Sequence, residues 1–178
     1  GRFIPLLSLP EARERAVMLC SASKTFNIAG LQQATAVSFA PALLEKLGRV
    51  CGEAGVTSGN TFALAATRAA YTACDDWLDG LLSYLTENRA ALEAGVKRYL
   101  PRARLTPVEA TYLAWLDLRA YGKSCDELTA LFWKQGVKLS EGNFFGPEGE
   151  GFMRLNFGCP QGMIEEGLRR MARALEEE

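Results

Sequence analysis

One lysine set among hydroxyls is the most reactive-looking stretch of the chain. Leu19-Cys-Ser-Ala-Ser-Lys-Thr-Phe-Asn-Ile-Ala-Gly-Leu31 delivers Ser21, Ser23 and Lys24 at the end of an apolar run and continues into a loop of small residues. Hydroxyls and backbone N–H groups in such a turn suit a phosphate. A lysine beside them serves as a point charge on that phosphate, as a nucleophile when desolvated near other cations, or simply as a surface lysine after a strand. A second candidate is Phe152-Met-Arg-Leu-Asn-Phe157. In a strand, Met153, Leu155 and Phe157 share one face, and Arg154 and Asn156 share the other. Arginine beside asparagine makes a forked donor set suited to a carboxylate; the alternative is a solvated strand face.

The sequence contains no histidine. Without an imidazole there is no Ser-His-Asp or Cys-His hydrolytic arrangement, so chemistry falls to lysine, carboxylates, hydroxyls or a cofactor. Cys20, Cys51, Cys74, Cys125 and Cys159 are scattered and never spaced Cys-x-x-Cys. That usage points to a cytoplasmic setting, and no metal site is expected. Ser21-x-x-Lys24 also fits the Ser-x-x-Lys pattern of penicillin-binding proteins, and Ser58-Gly59-Asn60 imitates their second motif. Their third motif, Lys-Thr-Gly, is absent, and here Ser-x-x-Lys trails a strand instead of opening a long helix, so the pattern is set aside. With 20 basic and 21 acidic residues there is no broad field for nucleic acid. No run is long enough to span a membrane, and Gly1 to Leu9 is too short and proline-interrupted for a signal peptide.

The elements that must position these residues follow from pattern. The chain has 178 residues, 48% hydrophobic and 23% charged, the balance of a globular domain with one sizeable core. Arg15 to Cys20 predicts a buried strand, and Thr35, Val37 and Phe39 alternate in a second over Gln33 to Phe39. Pro41 opens a helix that ends near Gly52 to Gly59. A helix over Thr61 to Ala73 and a long one from Asp75 to Leu100 come next. The long helix carries a core stripe of Leu78, Leu81, Leu82, Leu85, Leu92, Val96 and Leu100, has Asp75, Asp76 and Asp79 on its N-terminal dipole, and is stopped by Pro101. Tyr112 to Leu118 predicts a strand. Ser124 and Glu127 form a capping box for a helix to Gln135, closed by Gly136. Val137 to Phe145 and Phe152 to Phe157 are two more predicted strands across a Gly146–Gly151 turn, and Gly162 to Leu175 a last helix. The result is a mixed α/β or α+β domain, a short sheet packed by helices.

The segment Ser21-Ala-Ser-Lys-Thr-Phe-Asn-Ile-Ala-Gly-Leu31 resembles the lysine segment of fold-type I pyridoxal phosphate enzymes, the class I/II aminotransferase superfamily, and is closest to its cystathionine β-lyase (C–S lyase) branch. Tyr112-Leu-Ala-Trp-Leu-Asp117, Gly142-Asn-Phe-Phe-Gly146 and Phe152-Met-Arg-Leu-Asn-Phe-Gly-Cys-Pro160 agree in order along the chain. The resemblance implies that Lys24 holds pyridoxal 5'-phosphate as a Schiff base and then acts as the base at the substrate α-carbon. It implies that Ser21 and Ser23 bind the cofactor phosphate. Arg154 would clamp the substrate carboxylate, and Asn27, grouped with it on the substrate side, would help order the lysine loop. Gln32 stands where many aminotransferases place a phosphate-binding arginine, which favours the lyase.

Residues 1–40 are therefore expected to close a large cofactor-binding domain, and residues 41–178 to form the C-terminal small domain. Only 23 residues precede Lys24, whereas the family's cofactor-stacking aromatic and pyridine-pairing carboxylate lie upstream, so the chain is expected to be part of a longer enzyme and inactive alone. The expected reaction is α,β-elimination on sulfur amino acids such as cystathionine. Amino-group transfer to a 2-oxo acid is the alternative, and a non-catalytic module binding a protein partner is the alternative of another class. The resemblance also implies a cytoplasmic homodimer acting on a small amino acid, with no nucleic-acid or membrane partner, and a small domain alone should expose an apolar face and self-associate.

Overall fold

Proline and glycine punctuation sets most element boundaries in the computed structural model, which describes residues 3–56 and 59–176. Ser58 of the rejected motif lies outside those residues. The described residues divide into two compact units, one up to Asp79 and one from Gly80 onward.

The first unit carries the lysine segment. Strand β1 (Met18–Cys20) pairs antiparallel with β2 (Thr35–Val37), with Leu19 opposite Ala36. Between them run tight turns and a 3-10 turn over Ala29–Leu31. Helix α1 (Pro41–Glu53) has proline in its first turn, as expected, and α2 (Thr61–Ala73) is capped by Asn60, whose side chain accepts the Ala63 N–H. The buried strand expected over Arg15–Cys20 is only three residues long, and Leu19 is 71% exposed. A two-stranded ribbon has no second layer to cover both faces, so apolar content alone does not bury it. The buried hydrophobics of this unit are small or few: Leu7, Ala22, Ala40, Ala63 and Ala70. Phe3, Phe62, Val56 and Tyr71 stay exposed.

Helix α3 (Asp75–Tyr99) begins in the first unit and contributes most of its length to the second. There its stripe is buried at Leu92 and Val96, and Leu100 just beyond it is buried too. Leu82 lies off the stripe and is exposed; the place in line is taken by Asn88, fully buried. The sheet has four antiparallel strands in the order β3-β4-β6-β5, where β3 is Arg104–Leu105, β4 Leu113–Asp117, β5 Ser140–Glu141 and β6 Phe152–Asn156. Its core face carries Ala114 and Leu116 from β4 and Met153 and Leu155 from β6, all buried against α4 (Cys125–Lys134) and α5 (Gln161–Glu176). The predicted capping box is present: Ser124 Oγ accepts the Glu127 N–H while the Glu127 carboxylate accepts the Ser124 N–H. Gly136 follows at a left-handed φ of 72°.

The four-stranded sheet differs from expectation in two places. β3 was not anticipated, because two residues after Pro101 carry no alternation worth the name. The strand expected over Val137–Phe145 shrinks to β5, after which Gly142–Phe145 forms a 3-10 turn. The cause is Gly142, whose missing side chain lets the backbone lie against the Gly149 carbonyl and within 2.7 Å, at the Cβ position, of the Phe152 carbonyl oxygen. The chain must turn there, and Phe144 ends up 82% exposed instead of pointing into a core.

Candidate functional site

Lys24 sits in the turn that follows β1, exposed, with Ser21 and Ser23 just before it. Ser21 Oγ lies 2.6 Å from the Gln33 carbonyl oxygen and 2.7 Å from Ser23 Oγ, and it accepts the Ser23 N–H at 3.1 Å. The backbone then curls: Phe26 N–H donates to the Ala22 carbonyl and Ile28 N–H to that of Ser23. Asn27 supplies the left-handed residue this curl requires, at φ 54°, a conformation asparagine tolerates better than most. Gln32, also at φ 54°, turns the chain back into β2.

Sequence reasoning missed what holds this loop from behind. The Phe26 ring is gripped by Tyr71 edge-on and by Trp77 stacked, each with centroids 5.9 Å away. Asn60 Nδ2 donates to the Leu31 carbonyl at 3.1 Å. A cavity of about 220 Å³ lies beside β1, lined by Ser21, Gln33, Thr35, Thr67 and Tyr71, and the buried Thr67 hydroxyl and Gln33 amide oxygens have no partner. The signal that could have found these partners is the helical spacing of Asn60, Ala63, Thr67 and Tyr71 along α2.

Arg154, in the second unit, lies on the outer face of the sheet with Trp115 opposite it on β4 and Ser140 opposite it on β5. Its guanidinium sits over the Phe145 ring, 4.7 Å from the centroid, and Nη2 donates to Ser140 Oγ at 3.1 Å. Stacking and one hydrogen bond fix the plane of the fork while leaving other N–H groups for a ligand. Trp115 stacks on Phe152, centroids 5.6 Å apart. Asp117, on the same face of β4, is already engaged by Arg119 through two bonds of 2.9 and 2.8 Å. The hydrogen bonds from that guanidinium hold the Asp117 carboxyl below the usual carboxylate range, so it is no competitor for Arg154. Asn156 shares the Arg154 face as predicted, but its Oδ1 accepts the Gly158 N–H.

The structure thus brings Ser21, Ser23, Lys24 and Asn27 together on one loop and mounts Arg154 on a rigid strand of the other unit. A primary amine beside two hydroxyls and turning backbone is a donor set that fits an aldehyde-bearing phosphate. Such a loop, on this order of strands and helices, is that of fold-type I pyridoxal phosphate enzymes. The chain belongs to the aminotransferase class I and II family, which its residues 2–171 match. It is 40% identical to cystathionine beta-lyase PatB of Bacillus subtilis over 173 residues, covering 96% of this chain and 45% of that protein. Among solved structures it is similar to cystalysin of Treponema denticola, which contains a pyridoxal 5'-phosphate cofactor (TM-score 0.89, 27% identity, 94% of this chain and 43% of that one). It is also similar to the pyridoxal-phosphate-bound C-S lyase of Staphylococcus hominis (TM-score 0.81, 30% identity, 93% and 43%). The chain therefore spans about half the length of the relatives it matches. No helix among the described residues is long and apolar enough to cross a membrane.

Proposed function

We propose that this chain is the C-terminal part of a pyridoxal phosphate enzyme acting on amino acids, a C–S β-lyase performing α,β-elimination on substrates such as cystathionine. The observation that carries the reading is the 40% identity to a cystathionine beta-lyase along 96% of the chain. In this reading residues 1–40 end the large domain and residues 41–178 form the small one, and the whole enzyme is a cytoplasmic homodimer.

When bound, the cofactor supplies an electron sink conjugated to the substrate α-carbon. Lys24 is the group of this chain that holds it, through the ε-nitrogen. Ser23 would donate its hydroxyl hydrogen to the phosphate, Ser21 would do so once its own hydroxyl hydrogen turns away from the Gln33 carbonyl oxygen 2.6 Å away, and the left-handed turn at Asn27 shapes the loop. Arg154 receives the α-carboxylate on its free N–H groups and fixes which substrate bond is presented for cleavage. Lys24 would then take the α-proton onto Nζ. The β C–S bond then breaks with its electron pair leaving on sulfur as a thiolate, and hydrolysis yields pyruvate and ammonia. Amino-group transfer uses the same Lys24 and Arg154 and differs in where Lys24 returns its proton; the aminotransferase family match favours it as the second reading.

The test is absorbance after addition of pyridoxal phosphate, then borohydride reduction and peptide mapping. Label confined to Lys24 is the expected result. Label scattered over surface lysines overturns the assignment of Lys24. In the full-length enzyme, release of pyruvate, ammonia and a thiol from cystathionine marks elimination, whereas consumption of a 2-oxo acid marks transfer and overturns the lyase reading.

A further inference from the structure

Asn60, the cap of α2, and Thr67 and Tyr71 within the helix follow one another at helical spacing. Each meets the lysine segment or the space behind it. Asn60 reaches the Leu31 carbonyl, Thr67 lines the cavity that Ser21 and Gln33 also line, and Tyr71 lies edge-on to Phe26. The lysine loop is therefore held from behind at its middle, through the ring two residues after Lys24, and at its far end, through Leu31.

We propose that α2 splints the lysine loop and that Asn60 is a positioning residue for Lys24. The inference rests on Lys24 being the group that holds the cofactor. Asn60 uses both ends of its amide. Oδ1 accepts the Ala63 N–H at 2.8 Å, which caps the helix, and Nδ2 donates to Leu31 at 3.1 Å. The cap fixes which end is oxygen, so the donor must face the loop. Leu31 closes the 3-10 turn Ala29–Leu31, and Gln32 after it is left-handed. A turn built only of Leu31 N–H to Ile28 and Gln32 N–H to Ala29 has little to hold it closed. The bond from Asn60 ties that turn to a helix of 13 residues.

The two jobs of Asn60 can be separated by substitution. Asn60→Asp and Asn60→Ser keep a good helix cap, yet neither offers an amide N–H to Leu31, and the aspartate puts an oxygen against the carbonyl. Asn60→Ala loses both. Amide hydrogen exchange in the 178-residue chain is measured first and needs no cofactor. The expected result in Asn60→Asp and Asn60→Ser is about three- to tenfold faster exchange at Leu31 and Gln32, the size of one lost hydrogen bond, with the amides of α2 unchanged. Borohydride trapping with pyridoxal phosphate should then show a smaller share of label on Lys24 in both variants. Wild-type exchange at Leu31 and Gln32 in Asn60→Asp and Asn60→Ser, with only Asn60→Ala affected, overturns the proposal and leaves Asn60 a helix cap. If wild-type protein takes no label at Lys24, the assignment of Lys24 falls instead, and the exchange comparison still decides whether the splint exists.

Discussion

Removing the Asn88 side chain should unfasten the end of the strand that carries Arg154. Asn88 is fully buried on α3, and its Nδ2 donates to both the Phe157 and Cys159 carbonyls, at 2.9 and 2.8 Å, just past the end of β6. Its Oδ1 is buried without a partner. Asn88→Ala leaves the buried Phe157 carbonyl without a donor, about 2 kcal/mol, and the part-buried Cys159 carbonyl with only the Tyr84 hydroxyl at 3.5 Å, about 1 kcal/mol. It also deletes the unsatisfied Oδ1, which returns about 2 kcal/mol. The void left by a small amide adds about 1 kcal/mol, for a net loss of about 2 kcal/mol. Asn88→Asp keeps the volume but faces the same two carbonyls with oxygen, so at neutral pH it should cost at least as much as alanine. The assay is urea unfolding of both variants, followed by circular dichroism, with exchange of the Gly158 amide as a local report. A loss below about 1 kcal/mol for alanine refutes the hydrogen-bond argument. So does an aspartate variant much milder than alanine, which would show that volume, not pairing, is what Asn88 provides.

Gly142→Ala should cost several kcal/mol, because its Cβ would strike the backbone at Gly149 and Phe152, whereas Gly80→Ala, with open space around it in α3, should gain about 0.5–1; urea midpoints of the pair measure both. Ser124→Ala should lose about 1 kcal/mol of cap. In that variant the Glu127 carboxyl keeps the backbone N–H of residue 124, the chief cause that holds it low, and loses only the hydroxyl, so it should rise only part of the way toward the ordinary range in a chemical-shift titration. Asp117 is likewise held low, first by its hydrogen bond from the Arg119 side chain. Its contribution is present above about pH 4, the unfolded carboxyl value, and disappears as pH falls through the lower folded value. Asp117→Asn should therefore flatten the acid limb of a stability-versus-pH curve, and an unchanged limb would count against the pairing.

How far the sequence carries depends on whether a feature is local. The Ser124–Glu127 box was legible because a cap needs partners only three residues away, whereas the cap that Asn60 gives α2 was not read. Asn88 was not, since a polar residue inside an apolar stripe declares itself only through carbonyls brought from another element. The fixing of Arg154 by Ser140 and Phe145 was hidden for a related reason. It depends on β5 stopping early, and that stop is set by the contact of Gly142 with a backbone segment further along the chain. Lys24, Ser21, Ser23 and Asn27 were legible as a group because they share one short loop, though their proposed roles come from resemblance and not from spacing.

The brevity of the sheet margins has a consequence for how this chain behaves when crowded. Both outer strands of the four-stranded sheet, β3 and β5, are two residues long, and β1 and β2 have three each. No open margin among the described strands offers a neighbour enough unpaired N–H and C=O groups to extend the ladder. The exposed Phe3, Leu19 and Phe62 of the first unit remain sticky all the same. Concentrated samples should therefore gather through side chains into amorphous, dilution-reversible clusters that bind no cross-β dye, rather than into fibrils.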